Sequence, residues 1–251
     1  MPYGLYLSAE GAHAQSKRLE TIANNLANVN TVGFKRQLAV FQARHAEEIA
    51  RGGDVPGSGS INDLGGGVEV RETKTDFSAG PLKRTGVPTD MALEGEGFFV
   101  VRKDNEDFLT RAGNFRLTES GELVTQQGYS VLNEDGEPVT IAAADGSWEL
   151  LPWGAIRQPG GAQTLAVVRP RSLGDLVQLG ENLFRPLADA EPLPAAERRV
   201  VGGYIELAGV QPTSEMVEMI EASRAVEANL NMMQTQDQML AGLVGRLLRS
   251  S

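Results

Sequence analysis

Few residues in this chain are of the types that do chemistry. Its two histidines, His13 and His45, stand 32 positions apart, and no metal-ligand spacing joins them. There is no cysteine, so neither a disulfide nor a thiolate metal site can form. A glycosidase would need two carboxylates facing each other across a cleft. The candidates are Glu94 and Glu96, which flank a glycine ahead of a strand, and Glu134 with Asp135, which falls in a turn. Both pairs read as solvated loop charges. G-x-S-x-G, H-E-x-x-H and the P-loop are absent from the sequence. The glycine triplet 65–67 lacks the spacing of a phosphate cradle and reads as a hinge or bulge. Trp148 and Trp153 in "SWELLPWG" could meet a saccharide or peptidoglycan, and strand packing is the ordinary alternative. No catalytic residue, cofactor site or metal site is expected.

Composition narrows the partners as well. The 251 residues carry 23 basic and 33 acidic side chains, a formal charge of −10 that gives no electrostatic footprint for nucleic acid or anionic lipid. A hydrophobic content of 41% is ordinary for a soluble protein. No run of 18 apolar residues suggests membrane insertion, and "MPYGLYLSAEGAHAQSKRLE" lacks a charged-then-apolar leader. Export, if it happens, is expected by a route that cleaves nothing.

Helical patterns occupy the two ends of the chain. Leu5, Ala12, Leu19 and Leu26 recur at sevens, with Ser8, Gln15, Ile22 and Val29 on the intervening positions. Gly33, Phe34 and Lys35 supply a plausible stop. From Ser214 to Arg249 there is no proline, which predicts one helix of about 36 residues and roughly 54 Å. Met219, Val226, Met233, Leu240 and Leu247 form one heptad row there, and Met216, Ser223, Leu230, Asp237 and Val244 the other. So long a seven-residue period predicts a left-handed supercoil with a partner helix.

Between these ends the texture changes. Residues 52–67, "GGDVPGSGSINDLGGG", read as a flexible connector. Farther on, Asp104-Asn105, Ser120-Gly121, Asp135-Gly136 and Asp145-Gly146 punctuate short alternating apolar runs, the pattern of an antiparallel β domain. The expected fold class is therefore α+β: terminal helices pairing as a coiled-coil-like layer, a central antiparallel all-β domain and an extended linker. The boundaries are 1–35 for the first helix, 36–80 for the Gly-rich linker and 81–200 for the β domain. Residues 201–213 make a return linker and 214–251 the second helix.

The helices look incomplete by themselves. The first seam offers five sizeable apolar residues worth about 1.5–3 kcal/mol each when buried. Ordering its backbone costs about 1–2 kcal/mol per residue. Methionines at 216, 219, 232, 233 and 239 make the second seam adaptable rather than specifying. Helices of this kind are expected to order when neighbouring subunits complete the packing. Asn24, Asn25, Asn28 and Asn30 are poor helix-interior residues. They read either as makers of interhelical hydrogen bonds that fix register or as a frayed helix end.

Particular stretches carry a family resemblance. "ANNLANVNTVGFKR" (residues 23–36) resembles the N-terminal signature of bacterial flagellar rod and hook proteins, and "EMVEMIEASRAVEANLNMMQTQDQML" (215–240) resembles their C-terminal helix. "TDFSAGPLKRTGVPTDMALEGEGFFVV", "LTRAGNFRLTESGELVTQQGY" and "GENLFRP" are similar to the intervening segments of basal-body rod members. The short middle domain implies a rod rather than a hook protein. "TKTDFSAGPLKRTGVPTDMAL" and "LLRSS" look more like the proximal-rod type, "GFKRQLAVF" and "QTQDQML" more like the distal. One departure is Ala208-Gly209, where the family carries a Ser-Asn pair.

The resemblance implies a structural subunit of a helical, periplasm-spanning axle of the proximal-rod type that transmits torque. Its partners would be other copies of itself and other rod proteins, with the flagellar export apparatus in transit and contact with peptidoglycan left open. The alternatives are a distal-rod subunit and, from different classes, a cell-wall-binding β module or a glycan hydrolase. The residues expected at subunit contacts are Asn24, Asn25, Asn28, Asn30, Gly33 and Phe34, and Met219, Val226, Leu230, Met233, Leu240 and Leu247.

Overall fold

The computed structural model describes residues 3–247 apart from 45–48, 50, 56, 61–64 and 143–147. It divides into a helical unit (1–27, 37–76 and 211–251) and a β unit (28–36 and 77–210). The expected Asp145-Gly146 turn, His45 and the "LLRSS" ending beyond Leu247 lie outside the described residues.

The helical unit begins with α1, Tyr3–Ala27. This helix stops earlier than Gly33 because Asn28 starts a turn: the Thr31 amide donates to the Asn28 carbonyl at 3.0 Å and the Thr31 hydroxyl to its side-chain oxygen at 3.2 Å. That is the competition between asparagine and helix. The second helix, α2, runs over Pro212–Leu247, 36 residues, with proline at the first helical position where no amide is needed.

The two helices run antiparallel against each other. Gly4 lies against Gln236, Gly11 against Asn229, Arg18 reaches Glu218 at 3.5 Å, and Asn25 donates to Glu215 at 3.3 Å. One expected heptad row of α2, Met219, Val226, Met233 and Leu240, is half-buried. The other row differs from expectation. Buried or half-buried beside it are Glu215, Ala222, Asn229 and Gln236, whereas Met216 and Leu230 are 52% and 46% exposed. On α1 the companions are Ser8, Gln15 and Ile22 with Gly4, Gly11, Arg18 and Asn25. Small residues on α1 leave room for amides from α2.

Residues 36–80, expected as an extended linker, hold a hairpin instead. Strand β1 (Gln37–Arg44) pairs antiparallel with β2 (Gly67–Thr75), from Gln37 opposite Thr75 to Arg44 opposite Gly67, with a bulge at Val40/Phe41. Alternating apolar residues in both arms supply the strands. The hairpin packs on α1, where Arg44 meets Glu10 at 3.2 Å.

In the β unit every strand pairing among the described residues is antiparallel. The strands are β3 (Leu82–Arg84), β4 (Met91–Leu93), β5 (Phe98–Lys103), β6 (Glu106–Thr110), β7 (Arg116–Leu117), β8 (Leu123–Val124) and β9 (Ser130–Val131). Next come β10 (Glu149–Leu150), β11 (Ala155–Gln158), β12 (Gly161–Thr164), β13 (Val167–Pro170) and β14 (Leu176–Gly180). The last are β15 (Leu183–Pro186), β16 (Ala190–Pro192), β17 (Val200–Gly202) and β18 (Tyr204–Glu206). The main sheet orders them β14-β15-β6-β5-β9-β8-β7, and β13 with β16 joins at β5.

Strand β5 is buried on both faces. Phe99 and Val101 enter one cluster with Leu123, Val131 and Leu165. Phe98 and Val100 enter another with Leu109, Leu132 and Phe184. The Asp104-Asn105 turn expected between β5 and β6 is present, with positive φ of 50° and 68°, the two-residue hairpin geometry that asparagine tolerates.

The β unit takes in more of the chain than residues 81–200. It begins with the 28–36 segment and includes 201–210, where β17 pairs β4 and β18 pairs β3.

Candidate functional site

The residues expected at subunit contacts fall into three groups. Asn25, Gly33 and Phe34 are buried within their own units. The Asn25 carboxamide donates to the Gln37 carbonyl at 2.8 Å and accepts the Gln37 amide at 2.9 Å. Gly33 has a φ of +70°, and its amide donates to the Glu206 carbonyl at 2.8 Å. A Cβ there would stand 2.5 Å from the Arg111 carbonyl carbon, so backbone approach explains the glycine. Phe34 packs with Ala208 and Val210 in a small apolar cluster.

A second group is half-buried. Met219, Val226, Met233 and Leu240 line the side of α2 that packs on α1. Asn28 lines a polar cavity of about 120 Å³ with Thr31, Asn114, Thr125, Gln127 and Glu181. The third group faces outward: Asn24, Asn30 and Leu230 are exposed. The side chain of Leu247 lies outside the described residues.

Leu230 has company, most of it outside the two heptad rows. Val217, Ile220, Met232, Met239, Leu243 and Val244 on α2 are all more than half exposed, as is Met216. Leu38, Phe41 and Val68 of the hairpin are also more than a third exposed. Apolar side chains are thus exposed along α2 and on the hairpin of the helical unit.

The residues that might have carried chemistry are dispersed. His13 is exposed, and no group of three or more metal-ligating side chains occurs among the described residues. Glu94, Glu96, Glu134 and Asp135 are exposed, with Glu96 3.7 Å from Arg169. Trp148 packs against the larger β cluster, and Trp153 is 44% exposed. No described helix is long and apolar enough to cross a membrane.

The best-defined polar cluster escaped sequence reasoning. Lys35 donates to Glu206 at 2.7 Å and to the Ser78 carbonyl at 2.8 Å, and Arg111 meets the other Glu206 oxygen at 3.3 Å. Burial lowers the pKa of the Arg111 guanidinium, and the adjacent Glu206 carboxylate opposes that shift. Nothing in the local pattern of Lys35, Arg111 or Glu206 marks them as buried, because their partners are far along the chain.

An exposed cluster sits at the β14–β15 turn. Glu181 and Asn182 take positive φ of 52° and 57°. The Glu181 carboxylate accepts the Tyr129 hydroxyl at 2.7 Å and the Lys103 ammonium at 3.1 Å, and these two bonds lower its pKa, the tyrosine's first. Lys103's own interaction with Tyr129, followed by that with Glu181, raises the Lys103 pKa.

Comparison with known proteins agrees with this arrangement. Residues 5–35 match the family described as flagella basal body rod protein, 92–168 the flagellar hook protein FlgE/F/G D1 domain, and 201–244 the flagellar basal body rod FlgEFG protein C-terminal. The chain is 31% identical over 258 residues to the flagellar basal-body rod protein FlgG of Bacillus subtilis, covering 96% of this chain and 97% of that one. It is 32% identical to FlgG of Borreliella burgdorferi, over 99% of this chain and 100% of that one. It is 30% identical to the rod protein FlgF of Caulobacter vibrioides, over 98% of each. The chain belongs to the flagellar basal-body rod protein family.

Proposed function

We propose that this protein is a structural, non-enzymatic subunit of the flagellar basal-body rod, polymerising with copies of itself and with other rod proteins into the axle that carries torque. The observation that carries the reading is the exposed apolar surface of α2, in a chain of this family whose helical unit has a partly polar seam. Buried Gln15 and Gln236 side-chain oxygens lack hydrogen-bond partners there, which weakens the pair. A neighbour packing on Met216, Ile220, Leu230, Met232 and Met239 would complete the layer as a coiled-coil-like assembly. Repeated head-to-tail contact of this kind gives an open filament rather than a closed ring.

Within that reading, Asn24, Asn30 and Leu230 meet neighbouring subunits. Asn28, Met219, Val226, Met233, Leu240 and Leu247 contribute where the helical layers adjoin. Asn25, Gly33 and Phe34 fix the segments that present them. The proximal-rod type is favoured by "TKTDFSAGPLKRTGVPTDMAL", and location in the periplasm-spanning rod after passage through the flagellar export apparatus follows from the same resemblance. Contact of the β unit with peptidoglycan is a secondary reading, supported by exposed Trp153.

The test is a pair of substitutions. Leu230→Asp is expected to leave the monomer folded but abolish rods in electron micrographs and motility in complementation. Leu240→Asp is expected to abolish rods while the β-sheet circular dichroism survives. Assembly of normal rods by Leu230→Asp would refute the contact surface. Steady release of fragments from peptidoglycan by purified protein would refute the non-enzymatic reading.

A further inference from the structure

Every residue around the polar cavity of about 120 Å³ belongs to the β unit. Its buried side is internally bonded. The Thr110 hydroxyl donates to the Asn182 carbonyl at 2.9 Å and accepts the Ala112 amide at 3.1 Å. The Asn182 carboxamide donates to the Val32 carbonyl at 2.7 Å, and the Thr125 hydroxyl accepts the Tyr129 amide at 3.1 Å. These bonds hold the walls in place.

The more exposed lining keeps hydrogen-bonding capacity to spare. Asn114 is half-buried and Gln127 exposed, and neither carboxamide makes a hydrogen bond among the described residues. Glu181 uses one carboxylate oxygen for both Tyr129 and Lys103, and the other accepts nothing from the described residues. Val32, Ala112 and Leu183 make part of the lining apolar.

A carboxamide gives and takes a hydrogen bond at once, so Asn114 and Gln127 suit a ligand group that does the same, such as a secondary amide. An anion is disfavoured by the Glu181 carboxylate and by the chain's net charge of −10. The cavity has room for several waters, hence for an acetamido group and the adjoining part of a sugar ring. The apolar lining accommodates the acetamido methyl. Ring hydroxyls supply a donor for the open Glu181 oxygen, and a peptide amide brings no such hydroxyl.

We infer that this cavity binds an N-acetylated amino sugar, with the acetamido group against Asn114, Gln127 and the apolar lining and a ring hydroxyl on Glu181. The inference deepens the reading that sets the β unit against peptidoglycan, a polymer of N-acetylated sugars, and rests on it.

For the test, the full-length chain is titrated with N-acetylglucosamine, glucose or N-acetylalanine methylamide while NMR follows the side-chain amide resonances of Asn114 and Gln127. Glucose presents hydroxyls without the acetamido group, and the blocked alanine presents amides without hydroxyls. N-acetylglucosamine is expected to move both sets of resonances saturably, and the other two to bind about tenfold more weakly, the worth of one or two hydrogen bonds. Gln127→Ala, at an exposed position, should weaken the sugar about fivefold without changing the melting temperature. Equal binding of glucose, equal or tighter binding of the blocked alanine, or no response to N-acetylglucosamine would overturn the inference.

Co-sedimentation with peptidoglycan sacculi separates the cavity from the wall contact. Binding reduced both by Gln127→Ala and by free N-acetylglucosamine would support the two together. Binding that neither reduces would keep the wall contact and overturn the cavity as its sugar site. Sugar bound in solution with no binding to sacculi would keep the cavity and end the peptidoglycan reading.

Discussion

Asn25 holds Gln37 by both ends of its carboxamide, giving a hydrogen bond to the carbonyl at 2.8 Å and taking one from the amide at 2.9 Å. A side chain near the end of α1 thereby acts as a strand neighbour for the first residue of β1. Its Nδ2 also lies 3.3 Å from Glu215 at the start of α2. One buried amide ties together α1, β1 and α2 of the helical unit.

Asn25→Ala should therefore destabilise the helical unit by about 2 kcal/mol, through loss of its buried hydrogen bonds to the Gln37 backbone and the Glu215 carboxylate. Asn25→Asp should be at least as harmful at neutral pH, because it cannot donate to the Gln37 carbonyl and sets a second carboxylate beside Glu215. Thermal melts followed at 222 nm would reveal this ranking, and a milder effect of aspartate would count against the dual role.

Gly33→Ala is expected to cost about 2 kcal/mol or more. A left-handed backbone by itself costs a side-chain residue about 1–2 kcal/mol, and the new Cβ would meet the Arg111–Ala112 backbone at 2.5 Å. The urea midpoint of the β unit should fall accordingly, and an unchanged midpoint would show that the turn can relax.

At Gly11 two effects oppose each other. A Cβ would come within 2.9 Å of the flexible tip of Asn229, while alanine improves helix propensity by about 1 kcal/mol over glycine. Gly11→Ala should thus be close to neutral. Gly11→Leu should wedge α1 from α2 and lower the helical melting temperature while the β-sheet signal persists. Equal tolerance of both substitutions would mean that the amide-over-glycine contact is unimportant.

Glu181 gives a pH dependence of defined sign. Its folded pKa lies below the unfolded carboxylate value because Tyr129 and then Lys103 favour the charged form. The stability it contributes is present above the unfolded pKa of about 4.3 and is lost as pH falls through the lower folded value. Glu181→Gln should reduce the urea midpoint at pH 7 and have a shrinking effect as the solution is acidified through that window. A difference from the parent chain that does not change with pH would exclude the ionised contact.

The β hairpins were legible because their signals are local. Asp104-Asn105 lies between alternating apolar runs, and its positive φ values follow from a two-residue turn. The Glu181-Asn182 turn uses the same conformation, with asparagine as its local clue. Residues 36–80 were harder. Their glycine-rich centre suggested an extended linker, while pairing of 37–44 with 67–75 depends on residues beyond that centre.

The helix seam was half legible. A seven-residue period selects Met219, Val226, Met233 and Leu240, but a second row can lie on either flank of it. Gly4 and Gly11 leave room for the Gln236 and Asn229 side chains on one flank, and Leu230 on the other remains exposed.

Sequence alone determined the order of helix, β region and helix, the length of α2, the antiparallel character of the middle and the family resemblance, because local periodicity and turn chemistry specify elements. Tertiary structure decided which helix face is covered, the hairpin pairing, and the burial of Lys35 beside Glu206 and Arg111. Those outcomes depend on free energies between groups far apart in the chain, which no local pattern records.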